Sequence, residues 1–467
     1  SVISVLLVLA VLTCGLGVLG YVLTPPNFNM HINNELKKIG DAGENIDMMF
    51  VGASRVYHTF VPTVFMDEMG YDQVYNFGAA NAPYSATYHQ LKNMAERYDP
   101  ARVVIGVTLD ELIDQEWLRG KMVIWDRLNL KGKLEFMFGG LGLKNWKYTI
   151  TAYRFRDELD NISYNLSERK ILKETDYAPQ YNDDYHYGGY GFISGDTGLE
   201  EGGIAIDGAR SFSRDKINPS ALGYLDKCID FCKARGIDVI LVTAPTSMMR
   251  LFNIAGYQDA ADYYNAYAES KGVSYYNLNL LRDREDFLPD TAMFDYNHVN
   301  GEGANTISHI FAQILKDADA GLDTSGYFYK DFGELKDSVH RIVAVGCLSI
   351  TSESEEDLPE ETAPEGMTRE YLDLISFHAD GVVPEYQIEI LYNNSHAAED
   401  PTSASLAVED PDNVDISVEG SGDPASVSHA AGNPASAPVT EILIPWTTES
   451  KLYIDVPAKK GKHRGPL

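Results

Sequence analysis

IDMMFVGAS, residues 46–54, is an unbroken apolar run closed by a small-residue turn with a serine at its end. Because neighbouring side chains along a strand point to opposite faces, an apolar run of this length reads as a strand buried on both sides. Four more runs of the same kind follow: DQVYNFGAA (72–80), ARVVIGVTL (101–109), IDVILVTAP (237–245) and VSYYNLNL (273–280). Helical patterns lie around them at about 85–98, 219–235, 259–271 and 302–317. Apolar strands separated by helices specify a parallel five-stranded sheet covered on both faces, an α/β three-layer α/β/α sandwich. In such sheets the site lies at the carboxyl ends of the strands.

Three places carry chemistry. Gly52-x-Ser54 closes the first strand, where a small residue two before a serine permits a tight turn that presents the hydroxyl. YNFGAANAPYS closes the second, with Gly78 offering a backbone N–H and Asn81 a side-chain amide. MFDYNHVNGEGA precedes the last helix and contains Asp295-x-x-His298. A serine hydroxyl is a weak nucleophile until a base lies within hydrogen-bond reach and that base is oriented by a carboxylate. The spacing predicts Ser54 as nucleophile, His298 as base and Asp295 as its orienting acid, with the N–H groups of Ser54 and Gly78 placed to receive a developing oxyanion. His58, four residues past Ser54, is the competing base; His298 is preferred because it has an acidic partner.

The rest of the chain bounds the setting. With 69 acidic against 38 basic residues the net charge is −31, which repels phosphate backbones and argues against nucleic-acid binding. Four cysteines in 467 residues give neither a disulfide scaffold nor a zinc spacing. Cys228 and Cys232, four apart on a helical pattern, read as core thiols. No metal site is expected: histidine clusters are absent, and Asp283, Glu285 and Asp286 read as a solvated turn. The turn GASRVY lacks the glycine spacing of a dinucleotide site.

Val2–Leu23 is 22 residues without a charge, enough to span a hydrocarbon core of about 30 Å. The reading is an uncleaved single-pass anchor (1–24) with everything after it extracytoplasmic, in a chain whose cytoplasmic start precedes Ser1; a long signal peptide gives the same compartment. A linker (25–45) then leads to the α/β domain (46–339). That domain carries an aromatic insertion at about 110–218, including Trp117, Trp125, Trp146, Tyr148 and Tyr164. These rings are expected either to build the insertion's own small core or to offer flat faces to sugars. An acidic linker (340–368) precedes a small β-rich accessory domain (369–467), and residues 341–467 hold 23 acidic and 7 basic side chains, about half of the net charge.

Taken together, Phe50-Val-Gly-Ala-Ser-Arg55, Asn76-Phe-Gly78, Val242-Thr-Ala-Pro245 and the Asp295–Ala304 stretch resemble the SGNH/GDSL hydrolase superfamily, and most closely its DltD-like, cell-surface O-acylation branch. The resemblance covers about 46–318. It implies the same roles for Ser54, His298 and Asp295, and an oxyanion role for Gly78. The superfamily's GDS reads GAS here, and its GxND block reads GVTLDE, leaving Asn81, or else Thr108, as the third oxyanion donor. It implies acyl transfer to a surface polysaccharide or teichoic acid beside a membrane-bound O-acyltransferase partner, without a cofactor. The alternatives are a carbohydrate esterase and a non-catalytic glycan-binding scaffold.

Overall fold

The computed structural model describes residues 2–25, 28–43, 45–113, 117–174, 185–195, 197–198, 210–252 and 254–339, and the strands 342–351, 367–378, 386–393, 414–420, 439–447 and 451–457. The chain divides into two units: 1–199 with 211–247 and 256–331, and 200–210 with 248–255 and 332–467.

The first unit opens with two helices, α1 (Val2–Leu23) and α2 (Phe28–Ala42). Then come β1 (Met48–Val51), α3 (Ser54–Thr59), α4 (Pro62–Met69), β2 (Val74–Asn76), α5 (Tyr84–Tyr98) and β3 (Arg102–Gly106). The insertion supplies α6 (Leu109–Ile113), α7 (Leu118–Arg127), α8 (Leu130–Phe136), α9 (Thr151–Arg154), α10 (Ile162–Glu174), β4 (Tyr185–Gly189) and β5 (Phe192–Gly195). The chain returns through α11 (Pro219–Ala234), β6 (Asp238–Thr243), α12 (Tyr257–Lys271) and β7 (Ser274–Asn277). The short strands β8 (Met293–Asp295) and β9 (His298–Val299) lead into α13 (Gly301–Asp319).

Five strands form one parallel sheet in the order β2-β1-β3-β6-β7. Alternate residues face opposite layers, and both layers are buried. Met49, Val51, Tyr75, Val103, Ile105, Val239 and Leu241 pack against α2, α5, α11 and α12. Met48, Phe50, Val74, Val104, Ile240 and Val242 pack against α3, α4 and α13 through Val56, Phe65, Ile307 and Phe311. The apolar residues on both faces of the strands are thus each matched by a layer of helices, which makes this unit α/β in three layers. Cys228 and Cys232 are buried in the first of these layers, and burial pushes the Cys232 thiol up to about 12. Both behave as small apolar side chains.

The stretch expected as a linker, 25–45, instead holds α2. Ile32, Leu36 and Ile39 recur at helical spacing and are buried in the sheet-facing core. Glu35 fixes the helix in register: its Oε2 accepts hydrogen bonds from the hydroxyls of Tyr75 (2.9 Å) and Tyr187 (2.6 Å) and from the Tyr190 N–H (3.1 Å).

In the second unit, Ile342–Thr351, Met367–His378 and Lys451–Pro457 pair as one antiparallel sheet. Val414–Gly420, Tyr386–Asn393 and Val439–Thr447 pair as another. One detail differs from the sequence reading: the β-branched run IVAVGCLSIT forms a strand inside the expected acidic linker.

Candidate active site

The site is assembled where β1, β2 and β3 end. Gly52 leaves β1 with φ of 148°, a region open to glycine, and a Cβ there would meet Val56 Cγ2 at 2.6 Å. This turn starts α3 at Ser54, so the serine hydroxyl stands at the sheet edge and its backbone N–H belongs to the first turn, without an intrahelical acceptor.

Across the sheet edge, β8 and β9 form a two-residue hairpin that pairs Asp295 with His298. The Asp295 carboxylate is held from three sides. Oδ1 accepts the backbone N–H groups of Asn297 (2.7 Å) and His298 (2.9 Å), and both oxygens lie within 2.9 Å of His298 Nδ1. Burial alone would raise the Asp295 pKa, but the hydrogen bond and charge of His298 outweigh it and hold the carboxyl below its ordinary value. An ionised Asp295 can only accept, so Nδ1 carries the proton and Nε2 is left as an acceptor. Ser54 Oγ lies 2.8 Å from that Nε2. Ser54, His298 and Asp295 are thus brought together in one relay, with Ser54 Oγ–H donating to Nε2 and Nδ1–H donating to the carboxylate.

His58 does not stand in His298's place. Its Nδ1 donates to the Ile193 carbonyl at 2.8 Å, and its ring packs 4.8 Å, centroid to centroid, from that of His298. Burial, then the nearby His298 charge, hold its pKa well below the ordinary histidine value, so it stays neutral. It forms a wall of the site.

The oxyanion side departs from expectation. The Gly78 N–H, expected to point at the site, donates to Asn76 Oδ1 at 3.0 Å. Glycine is required at 78 for another reason: a Cβ would come within 2.7 Å of the Tyr57 backbone nitrogen. Asn81 adopts φ of 52°, and its carbonyl packs against Gly120, where a Cβ would approach within 1.8 Å. Thr108 is engaged in a capping box for α6. Its N–H donates to Glu111 Oε2 (3.0 Å), and its hydroxyl accepts from the Glu111 N–H (3.4 Å). The pattern TLDE carries that box in the sequence.

Three positioning residues escaped the sequence reading. Asn76, fully buried at the end of β2, donates from Nδ2 to the carbonyls of Val56 and Phe60 (2.9 Å each) while accepting from Gly78, which clamps α3 to the second strand. Arg55, next to the serine, donates from Nη2 to Asp110 (3.0 Å) and to Asn297 Oδ1 (2.8 Å), tying the Ser54 turn, the hairpin and the β3 end together. Arg127 of α7 grips the loop after β2, donating to the carbonyls of Phe77 (3.1 Å) and Gly78 (2.8 Å).

Beside this corner lies a cavity of about 630 Å³. His58, Tyr57, Ala80 and Ile193 form one wall, and Met122, Tyr148, Arg154 and Phe155 of the insertion form another. The insertion's aromatic residues divide. Trp125 and Tyr148 pack on a small core of Met122, Ile124, Leu128, Phe136 and Leu141, whereas Trp117, Trp146 and Tyr164 are exposed. Tyr177 and Tyr181 lie outside the described residues.

A protein-family model matches residues 210–318, which include β6, β7 and the Asp295–His298 hairpin. No curated protein matches the chain. Among solved structures, a GDSL-like lipase from Bacteroides thetaiotaomicron is 12% identical, with a TM-score of 0.29, covering 61% of this chain and 98% of its own. A protein assigned as an acylhydrolase from Bacteroides fragilis is 10% identical, with a TM-score of 0.29 and coverage of 63% and 99%. A protein assigned to the G-D-S-L family of lipolytic proteins, from Desulfitobacterium hafniense, is 9% identical, with a TM-score of 0.29 and coverage of 57% and 98%.

Proposed function

We propose that this chain is a serine acyl-ester enzyme, anchored by α1 with its α/β part outside the cell, that transfers an O-acyl group (acetyl or D-alanyl) to a cell-surface polysaccharide or teichoic acid. The observation that carries the enzyme reading is the Ser54–His298–Asp295 relay, with 2.8 Å from Oγ to Nε2 and 2.8 Å from Nδ1 to Asp295 Oδ2. The DltD-like motifs around Ser54 and Asp295 and the apolar helix Val2–Leu23 support the choice of a surface polymer as acceptor.

On this reading Ser54 Oγ attacks the donor's acyl carbon as its proton passes to His298 Nε2. The tetrahedral intermediate then expels the donor's alcohol, which leaves with that proton. A sugar hydroxyl next gives its proton to the same nitrogen, attacks the acyl-serine and departs as the new ester, which restores Ser54. Asp295 keeps the imidazole in the required tautomer and stabilises its cationic form. The Ser54 N–H is the first donor toward the oxyanion; with the Gly78 N–H committed to Asn76, the second comes from the 79–81 turn or from a shift of that turn as substrate enters. No cofactor takes part in these steps. A membrane-bound O-acyltransferase partner is the proposed source of the acyl group. Water in place of the sugar makes the same site an esterase.

The test is acylation of the surface polymer in cells carrying Ser54→Ala at normal protein levels. Loss of acylation is the expected result. Unchanged acylation retires the enzyme reading in favour of a non-catalytic scaffold.

A further inference from the structure

We propose that the insertion segment 130–147 rests on the surface of an anionic lipid leaflet, next to the point where α1 leaves the membrane. The proposal rests on the reading of α1 as an anchor, and three independent observations carry it.

The first is where the apolar side chains point. Leu130, Leu134 and Phe138 recur every four residues along α8 and the π-helical turn Met137–Leu141 that continues it, and they are 76%, 57% and 72% exposed. The opposite side of the same elements is used up: Phe136 and Leu141 are buried in the insertion's small core. Leu143 and Trp146 in the following 3-10 turn, Leu143–Thr149, are also exposed. Five large apolar side chains left in water on one short segment mark a surface that meets an apolar phase.

The second is charge. In a chain of net charge −31, residues 130–147 carry Lys131, Lys133, Lys144 and Lys147 against Glu135 alone, a local net charge of +3. Lys131 also pairs with Glu96, and Lys147 lies over the rings of Tyr148 and Tyr153. Lys144 and Lys147 flank Trp146, an arrangement suited to the headgroup level of a bilayer, where an indole ring lies at the boundary and ammonium groups meet lipid phosphates.

The third is position. The chain runs from this segment directly into α9, and α9 packs on the end of α1, with a Cβ at Gly20 falling 3.0 Å from Thr151 Cβ. Asn165 of α10 donates to the Leu23 carbonyl at 3.1 Å, Arg169 donates to the Thr24 carbonyl, and the Arg169 guanidinium lies 4.3 Å from the Tyr21 ring centre. Earlier residues of α1, such as Leu6, Leu7, Val11 and Leu12, are exposed and apolar. The bilayer boundary therefore falls near residues 20–24, and the segment that carries Phe138 and Trp146 leads straight into the helix that holds this boundary. Pro25, Tyr148 and Arg154 line the cavity beside His58, so docking sets that cavity at headgroup level and favours esters presented in the leaflet over soluble ones.

The experiment uses the full-length protein reconstituted in phosphatidylcholine vesicles with and without phosphatidylglycerol, in the presence of phospholipid brominated on its acyl chains. A tryptophan component quenched by bromine is expected in the wild type, stronger with phosphatidylglycerol and lost in Trp146→Phe. Equal quenching in wild type and Trp146→Phe overturns the proposal, as does quenching that ignores phosphatidylglycerol, which removes its electrostatic half. As a second arm, Leu134→Glu/Phe138→Glu is expected to lower turnover of a vesicle-embedded ester on the order of tenfold while leaving a soluble p-nitrophenyl ester unchanged. An equal loss on both esters overturns the proposal. Absence of turnover on either ester in the wild type removes the enzyme reading instead, and the quenching result still decides the docking.

Discussion

Around Ser54, polar side chains turn inward and find partners within the chain; along 130–147, Leu130, Leu134, Phe138, Leu143 and Trp146 turn outward into water. Asp295 collects two backbone N–H groups and an imidazole, Asn76 spends its amide on three backbone groups, and Arg55 joins two loops. In the insertion, Leu130 and Phe138 project away from the small core that their own helix builds. The difference teaches where sensitivity should lie. A buried polar network loses several unpaired groups at once when one member is removed. An exposed apolar side chain can be changed with little effect on folding, and what it loses is measured against whatever phase it meets.

The sharpest way to break the comparison is Asp295→Asn. The amide would hold His298 in the wrong tautomer, and ester turnover should fall on the order of 10³- to 10⁴-fold while the fold survives. Stopped-flow acylation with a soluble p-nitrophenyl ester measures it, and a loss of less than about tenfold would mean that the hairpin geometry is incidental. Next in size is Asn76→Ala, which leaves the Val56 and Phe60 carbonyls and the Gly78 N–H short of partners. It should cost about 2–3 kcal/mol by urea unfolding at roughly one kcal/mol per lost bond. A neutral result would show that the clamp on α3 is redundant.

The smallest effect expected concerns Glu111, under the Thr108 turn. Burial pushes its carboxyl from 4.5 up to about 7. Its folded pKa lies above its unfolded one, so the folded state holds the extra proton between those values, and stability falls as pH rises from about 4.5 through about 7. Glu111 is not wholly shielded from water, so the loss should be on the order of 1–2 kcal/mol and less than the full shift implies. Glu111→Gln should flatten this slope in thermal unfolding; an unchanged slope would place the titration elsewhere.

How much of this was legible in the sequence follows from the range of the forces involved. The five strands could be read because burial on both faces leaves its mark on consecutive residues, as from Val103 to Val107. The hairpin could be read as a unit because Asp295 and His298 lie three apart, so one turn suffices to join them. The oxyanion side could not: whether the Gly78 N–H faces the site or Asn76 Oδ1 depends on a side chain two residues away turning toward α3, and on Arg127 gripping the loop from the insertion. Arg55 was hidden for the same reason, since its partners Asp110 and Asn297 are 55 and 242 residues distant. Helix α2 was legible in principle, from Ile32, Leu36 and Ile39, but three apolar positions among polar neighbours are a weak signal until Glu35 is seen to hold two tyrosines.

That His298 makes Ser54 a nucleophile is tested most directly by intact-mass measurement on the full-length protein after exposure to a fluorophosphonate, with peptide mapping of the adduct. One adduct is expected, on Ser54, formed on the order of a thousandfold more slowly in His298→Ala. An adduct on another serine, no adduct on the folded wild type, or equal rates with and without His298 would contradict it.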